Sequence, residues 1–469
     1  MVDGSLDSTI SWRQRWILYL NCPRFPPNSE FRILNPFPFF LSTFCRSARL
    51  VRSVCRSSTH FFPEGFTMDN LQAQSANDQI VTNTDKVVLR AEELAFGRDV
   101  PNTQETRDRI PKFGNSDYVE GNVKKRLDWL EKTTGKLLPH ISGQKLPTQQ
   151  WQGNIENLVG TVQIPLGIAG PLQINGSNAK GIFYVPMATT EGAILTTYSV
   201  GMRLVTNSGG ANILSQDNFS HISPMFKVEN IADGLVFKTW LKDNFDEIKK
   251  VAESTTKHGK LLEIKAHYWD SRIVAQFIYS TADAQGMNMI NVATDHACHF
   301  IAQETGRAFN VRSNYSAVKK MSVHNITPSF GKSVSAEALI SKVELRKLKV
   351  TAADVAATWH DGLSVTQKSA TIGVNCQAAN GIASIFLACG QDIADISSSH
   401  VAYSNFIAKG DDLYCEVYIP SLVIGTVGGG TGKGTQKECL QIMNCDGAGN
   451  VMKFAEIIGA SVLAGEIAT

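Results

Sequence analysis

The chain has 469 residues, more than one compact core usually accommodates, with 43% hydrophobic and 19% charged residues. That balance describes an ordinary folding protein and excludes a fibrous or wholly disordered one. A net charge of +2 gives no electrostatic case for a nucleic-acid or anionic membrane partner, and no apolar run is long enough to cross a bilayer. Nine cysteines with no CxxC pair argue against a disulfide framework or a metal site. Cys298, Cys376, Cys389, Cys439 and Cys445 read instead as small hydrophobes in a reducing compartment.

In chain order, residues 1–67 differ from everything after them. They carry eight arginines and no lysine, are dense in Phe and Pro, and hold no helical or strand period. Arg-rich, acid-poor N-termini can be organelle targeting segments. The prolines at 23, 26, 27, 36 and 38 would break the amphipathic helix that such a signal needs. A spurious upstream extension, with Met68 as the natural start, is the other reading; both place this segment outside the fold, as disordered chain. Residues 68–118 form a polar N-terminal segment with a short helix expected near 86–96.

Residues 119–222 open a large domain. A helix is expected over 119–138, with Val123, Leu127, Leu130 and Leu137 on one face. Next, Val162, Ile164, Leu166 and Ile168 alternate as a strand does, and Gly167, Gly170 and Pro171 read as a turn. That turn, beside Asn154, Glu156 and Asn157, is either punctuation or a place where a ligand meets the backbone. The stretch VPMATTEGAILTTYSVGMR, 185–203, is the one around which the rest is organised. Pro186 keeps the approach extended, Thr189 and Thr190 are helix-capping types, and Ala193, Ile194, Leu195, Tyr198 and Met202 recur at helical spacing. Glu191 is thus expected in the first helical turn, where the helix dipole favours a carboxylate.

Residues 223–313 give a six-element pattern. A strand at 225–228, a helix at 231–254, strands at 260–268 and 272–280, a helix at 286–305 and a strand at 308–311 follow one another. The order βαββαβ is that of a ferredoxin-like unit, read here as a small domain inserted into the larger one. Residues 314–469 then resume the large domain. Helices are expected at 336–348 and from Ala353, a long apolar segment over 369–389, a strand at 413–419 in a hairpin-like pair, and a last helix over 450–463. The fold class is therefore α+β.

Several loops carry candidate chemistry, and each has an ordinary structural explanation when taken alone. GGGTGKGT is not a Walker A phosphate loop, because Val427 stands at the first glycine position and Gly434 follows Lys433. DAQGMNM, 283–289, precedes a helix whose free amides suit a pyrophosphate, although Asp283 also reads as a helix cap. Lys257 ends a helix, where it favours the dipole and also suits a phosphate. Lys319 and Lys320 are adjacent, which usually means solvated side chains. Asp392 ends an apolar run, a setting that tends to bury an acid and to demand a partner.

Taken in order, ENLVG, PLGIAGPL, VPMATTEG, DAQGMNM, SNYSAVKK, ACGQD and IGTVGGGT resemble the hydroxymethylglutaryl-CoA reductase family over roughly residues 120–469. The resemblance implies a four-electron reduction of (S)-3-hydroxy-3-methylglutaryl-CoA to mevalonate and CoA, a step toward isoprenoids. GMNM is closer to the NADPH-using class. Each hydride addition puts negative charge on oxygen, so a fixed cation is needed, and Lys319 holds the matching position. Proton delivery suits a carboxylic acid, matched by Glu191, and Asp392 matches a buried aspartate that holds the lysine. By the same resemblance, cofactor contacts fall on Thr256, Lys257, Asp283, Gln285, Gly286, Met287, Asn288, Val427, Gly428 and Gly429, with Thr256 and Lys257 at the 2′-phosphate of NADPH. Substrate contacts fall on Asn157, Asn314, Lys320 and Asn380, and residues 223–313 become the NADP-binding domain. A site shared between two subunits implies a homodimer or homotetramer, cytoplasmic in the absence of an anchor.

The sequence also departs from the family. Val318 precedes the lysine where the family has Asp, Val200 replaces an arginine that contacts the CoA phosphates, and the arginine that binds the substrate carboxylate falls near His221. The family continues past LAGE to a tail histidine that protonates the departing thiolate, whereas this sequence stops at Thr469. The expectation drawn from these departures is a truncated or impaired enzyme. The alternatives are a homologue that binds CoA thioester or NADP(H) without turnover, or an oxidoreductase acting on another acyl-CoA.

Overall fold

The computed structural model describes residues 109–113, 120–141, 154–155, 162–328 and 330–469. The N-terminal extension, the helix expected at 86–96 and the substrate-contact candidate Asn157 lie outside these residues. Helix α1 is Glu120–Thr134, followed by β1 (Leu166–Gly176), β2 (Lys180–Ala188), α2 (Ile194–Asn207), β3 (Ala211–Asp217), β4 (Ser220–Ile222) and β5 (Met225–Lys227). Then come α3 (Ile231–Asp243), α4 (Phe245–Glu253), β6 (Lys260–Trp269), β7 (Arg272–Ser280), α5 (Met287–Thr305) and β8 (Phe309–Asn310). The chain closes with β9 (Lys332–Ile340), α6 (Lys342–Lys347), α7 (Ala352–Ser369), α8 (Ala378–Ala388), α9 (Ile396–Ser399), β10 (Tyr403–Lys409), β11 (Asp412–Leu422), α10 (Gly434–Ile442) and α11 (Val451–Ala468). The class is α+β, with two open sheets.

The first sheet has the order β10–β11–β9–β3–β1–β2, antiparallel except for a parallel contact of β1 with β3. Its core is sealed by α11, whose side chains are buried nearly all round from Val451 to Glu466. A helix apolar on every face belongs inside a fold. Close approach to α2 requires Gly201, because a β-carbon there would lie 1.8 Å from the Ala464 carbonyl oxygen. Glu456, fully buried on α11, closes the β1–β2 turn. Its carboxylate accepts from the Ala179 and Asn178 amides at 2.6 and 2.9 Å and from the Ser177 and Ser215 hydroxyls at 2.8 and 2.9 Å. A buried acid so surrounded has its lone pairs satisfied, which offsets the loss of water.

The second sheet is built on β7. One edge of β7 pairs along its length with β6; β4 pairs with Phe277–Tyr279 and β5 with Arg272–Val274, and β8 lies beyond β5. Every pairing is antiparallel. Phe226, Phe237, Phe277, Ile290 and Ile301 form its separate core.

Several expectations are corrected. Helix α1 stops at Thr134, before Gly135 with its positive φ of 65°, so Leu137 leaves the helical face and is exposed while Leu138 is buried; Val123, within the helix, is exposed as well. Gly167, Gly170 and Pro171 form no turn. They lie inside β1, where the register with β2 slips between Ala169 and Leu172, and Pro171 needs no amide partner because β3 pairs only from Ile174 onward. The helix expected over 231–254 is two helices, divided at Asn244. Of the helix expected over 336–348, residues 336–340 belong to strand β9 and residues 342–347 are helical, as α6. Val334, Ala336, Ala338 and Ile340 alternate into the core, and pairing with β3 and β11 overrides the helical propensity of Ala, Glu and Leu. The last helix is longer than expected, reaching Ala468.

Candidate active site

The central turn differs from its expectation. Glu191 does not sit in a helical turn: α2 begins at Ile194, after Ala193 in the left-handed region at φ 68°. Thr189 caps the loop itself, its hydroxyl accepting the Glu191 amide at 3.0 Å. Glu191 is exposed, and its carboxylate meets no side-chain partner among the described residues.

Lys319 and Asp392 are brought together. The Lys319 ammonium lies 2.5 Å from Asp392 Oδ2. Lys319 has a φ of 57° and Ala317 one of 51°, so the loop after the Asn314–Ser316 turn is held in a conformation that non-glycine residues seldom adopt. Ser398 fixes the same loop by donating to the Lys320 carbonyl at 3.3 Å. Asp392 opens the turn Ile393–Asp395 and accepts the Ala394 amide at 3.0 Å. Contrary to expectation, its side chain is 38% exposed. The buried acid is Asp395, at 0%. Asp395 accepts from Gln285 Nε2 at 2.6 Å, and its other oxygen, Oδ1, is buried without a partner among the described residues. Burial, then the neighbouring Asp392 carboxylate, pushes its pKa up to about 7, against the Gln285 hydrogen bond and the Lys319 cation. The sequence reading missed Asp395, although a second acid three residues after Asp392 at the end of an apolar run was the available signal.

The glycine-rich loops meet at the same place. The Asp283 carbonyl accepts the Thr426 and Val427 amides at 2.8 and 3.3 Å. The Gln391 side chain brackets Gly425, accepting its amide and donating to its carbonyl, both at 2.9 Å. Gly425 must be glycine, since a β-carbon would lie 2.5 Å from the Gln285 amide nitrogen. The Asp283 carboxylate does not cap α5, as the sequence suggested. It accepts the amide of Val451, the first residue of α11, at 3.1 Å, and Gly286 precedes α5 with no side-chain cap.

Met287 is buried and Asn288 exposed at the start of α5. Thr256 reaches this helix by donating to Met289 Sδ at 2.9 Å, while its oxygen accepts the Gly259 amide at 3.1 Å; Lys257 beside it is exposed. Val427 is 41% exposed, and Gly428 and Gly429 have φ of 82° and 57°. Asn314 and Lys320 are exposed, and Asn380 is half-buried in the first turn of α8. Among the described residues, no hydrogen bond or ion pair joins Glu191, Asn314 or Asn380 to the Lys319–Asp392 pair.

Two open sheets with separate cores, and a loop cluster bearing a lysine–aspartate pair beside a glycine-rich helix start, define an α+β protein with a candidate catalytic pair. The model of the family "Hydroxymethylglutaryl-coenzyme A reductase" matches residues 122–469. The chain is 40% identical over 355 residues to the 3-hydroxy-3-methylglutaryl-coenzyme A reductase of Methanocaldococcus jannaschii, covering 73% of this chain and 87% of that protein. Its counterpart in Methanothermobacter thermautotrophicus is 36% identical over 359 residues, covering 74% and 89%. The fold is similar to that of a class II 3-hydroxy-3-methylglutaryl-CoA reductase from Streptococcus pneumoniae solved with NADPH, with a TM-score of 0.58, 17% identity, and coverage of 74% of this chain and 95% of that one. The chain belongs to the hydroxymethylglutaryl-coenzyme A reductase family. Among the described residues, no helix is long and apolar enough to cross a membrane, and no cluster of metal-ligating side chains occurs.

Proposed function

We propose that this chain reduces (S)-3-hydroxy-3-methylglutaryl-CoA to mevalonate and CoA with two equivalents of NADPH. The observation that carries this reading is the Lys319–Asp392 pair at 2.5 Å, set among the motif loops of the family-matched stretch. The described residues suit an anionic dinucleotide. A β-carbon on Gly428 or Gly429 would meet nothing within 4 Å, so their backbone is open to a ligand. The start of α5, where Gln285 takes only the Met287 amide, and the exposed Lys257 add donors and positive charge. NADPH, when bound, supplies the hydride.

In this reading Lys319 faces the substrate carbonyl oxygen and offsets the charge that develops there, with Asp392 fixing its ammonium in advance. Fixing the cation before the reaction avoids the cost of reorienting it during charge development. Glu191, exposed and without a side-chain partner among the described residues, supplies the proton to that oxygen. Asn314, Lys320, Asn380 and Asn157 bind the substrate. Residues 223–313 serve as the nucleotide domain; their strands lie in the order β8–β5–β7–β6, which supports a ferredoxin-like reading. The exposed setting of Glu191 supports a homodimer or homotetramer in which a second subunit completes the site; the reading places the protein in the cytoplasm.

The test is NADPH oxidation by the full chain with hydroxymethylglutaryl-CoA, run against NADH and against mevaldehyde. Turnover that is faster with NADPH supports the reading. Folded protein that binds NADPH yet turns over neither the thioester nor the aldehyde sinks it.

A further inference from the structure

We propose that Asp395 is a positioning residue for the Lys319–Asp392 pair, tied by Gln285 to the loop that leads into the nucleotide-side helix α5. The inference rests on the reductase reading of the site. Asp395 is sealed from solvent at 0% exposure, one turn from Asp392, and its own amide donates to the Asp392 carbonyl at 3.0 Å. Among the described residues its one hydrogen bond to a side chain is the 2.6 Å contact from Gln285, whose other amide atom, Oε1, accepts the Met287 amide at 3.3 Å at the start of α5. A single side chain therefore touches both the buried acid and the helix start.

The charges facing Asp395 are few. Asp392 approaches from its own turn and Lys319 from the loop after Ser316. Helices α8 and α9, packed against this turn, carry no titratable side chain, and the Asp283 carboxylate is engaged by Val451. An ionised Asp395 would leave Oδ1 buried and unpaired, so the neutral acid is favoured at low pH. With Asp395 neutral, Lys319 faces one carboxylate, and its field is available to the oxygen that gains charge. With Asp395 ionised, a second negative charge arrives beneath that oxygen and opposes the hydride step. The midpoint of this change lies near the value of about 7 to which burial raises the acid. Gln285 favours the ionised form by donating to it, and so sets where the change falls.

The experiment uses the full chain and three proteins: wild type, Asp395→Asn and Gln285→Leu. Two readouts are taken, the rate of NADPH oxidation with hydroxymethylglutaryl-CoA from pH 6 to 9, and the carbon-13 NMR titration of aspartate carboxyls without cofactor or substrate. The wild-type rate is expected to fall about ten-fold as pH rises through about 7, a size suited to one buried charge near the reacting oxygen. That inflection should vanish in Asp395→Asn, whose side chain never ionises, and move to higher pH in Gln285→Leu, which removes the bond that favours ionisation. One carboxyl resonance should behave the same way. A uniform loss of rate in Asp395→Asn with the inflection intact would show a structural role only and overturn the proposal. So would the absence of any aspartate carboxyl titrating near neutrality. If the wild type oxidises no NADPH, the reductase reading fails by itself, and the NMR titration still decides whether Gln285 controls Asp395.

Discussion

The Lys319 ammonium and the Asp392 carboxylate lie 2.5 Å apart although their loops follow different elements, the Asn314–Ser316 turn and helix α8. Both side chains are more than one-third exposed, at 44% and 38%, so the pair contributes under about 1 kcal/mol to stability. Its consequence is for the rate. Lys319→Met should lower kcat by roughly 10²- to 10³-fold, the usual loss on removing a fixed group that stabilises an oxyanion, while thermal stability changes little. Steady-state kinetics beside a melting curve checks this; a change in KM alone would contradict the role.

Lys257 and Thr256 set the second prediction. Thr256 is already engaged with Met289 and Gly259, whereas Lys257 is exposed. Lys257→Ala should raise KM for NADPH by about ten-fold, the equivalent of one charge-assisted hydrogen bond, and leave KM for NADH nearly unchanged. Equal effects on the two cofactors would remove Lys257 from the 2′-phosphate site.

The third prediction concerns acid. His221 is 1% exposed, packs on Phe330 at 5.2 Å and lies 6.2 Å from His324, with no partner for either ring nitrogen among the described residues. Burial, then His324 and Lys265, lowers its pKa from 6.5 to about 4. Because the folded value is below the unfolded one, the unfolded chain binds the extra proton between them. The contribution of His221 to stability is therefore full above about pH 6.5 and is lost as pH falls toward 4, by roughly 3 kcal/mol in total. Unfolding midpoints measured from pH 7 to 4.5 should fall less steeply in His221→Phe than in wild type.

Glu456 makes a fourth case. Its Oε2 accepts both the Asn178 and Ala179 amides inside the core. Glu456→Leu removes the acceptor of these two amides and of the Ser177 and Ser215 hydroxyls, and should cost about 2–5 kcal/mol. Urea denaturation that shows a change below 1 kcal/mol would mean that the β1–β2 turn finds other acceptors.

Local chemistry made much of the chain legible. Alternating residues over 260–268 and 272–280 mark β6 and β7, the apolar period over 450–463 marks most of α11, and glycine-rich loops stand out without any knowledge of neighbours. Lys319 and Asp392 also stand out locally, one as half of a lysine doublet and the other as an acid ending an apolar run.

Tertiary structure decided what depends on distant partners. Residues 332–340 carry helix-forming Ala, Glu and Leu, yet hydrogen bonding to β3 and β11 makes them a strand. Glycine and proline at 167–171 look like a turn, but β2 runs alongside and absorbs them as an irregularity in β1. Asp283 looks like a cap for the helix that follows it, and is instead the partner of Val451, far along the chain. Asp392 and Asp395 are the same residue type three positions apart; one faces solvent and the other is sealed. Backbone preferences and side-chain periods are properties of a few consecutive residues, so the sequence alone determined segments such as β6, β7 and most of α11, and the motif loops. Burial and strand pairing are set by what packs against a segment from elsewhere in the chain, so only the folded molecule determined which acid is buried and which loops meet.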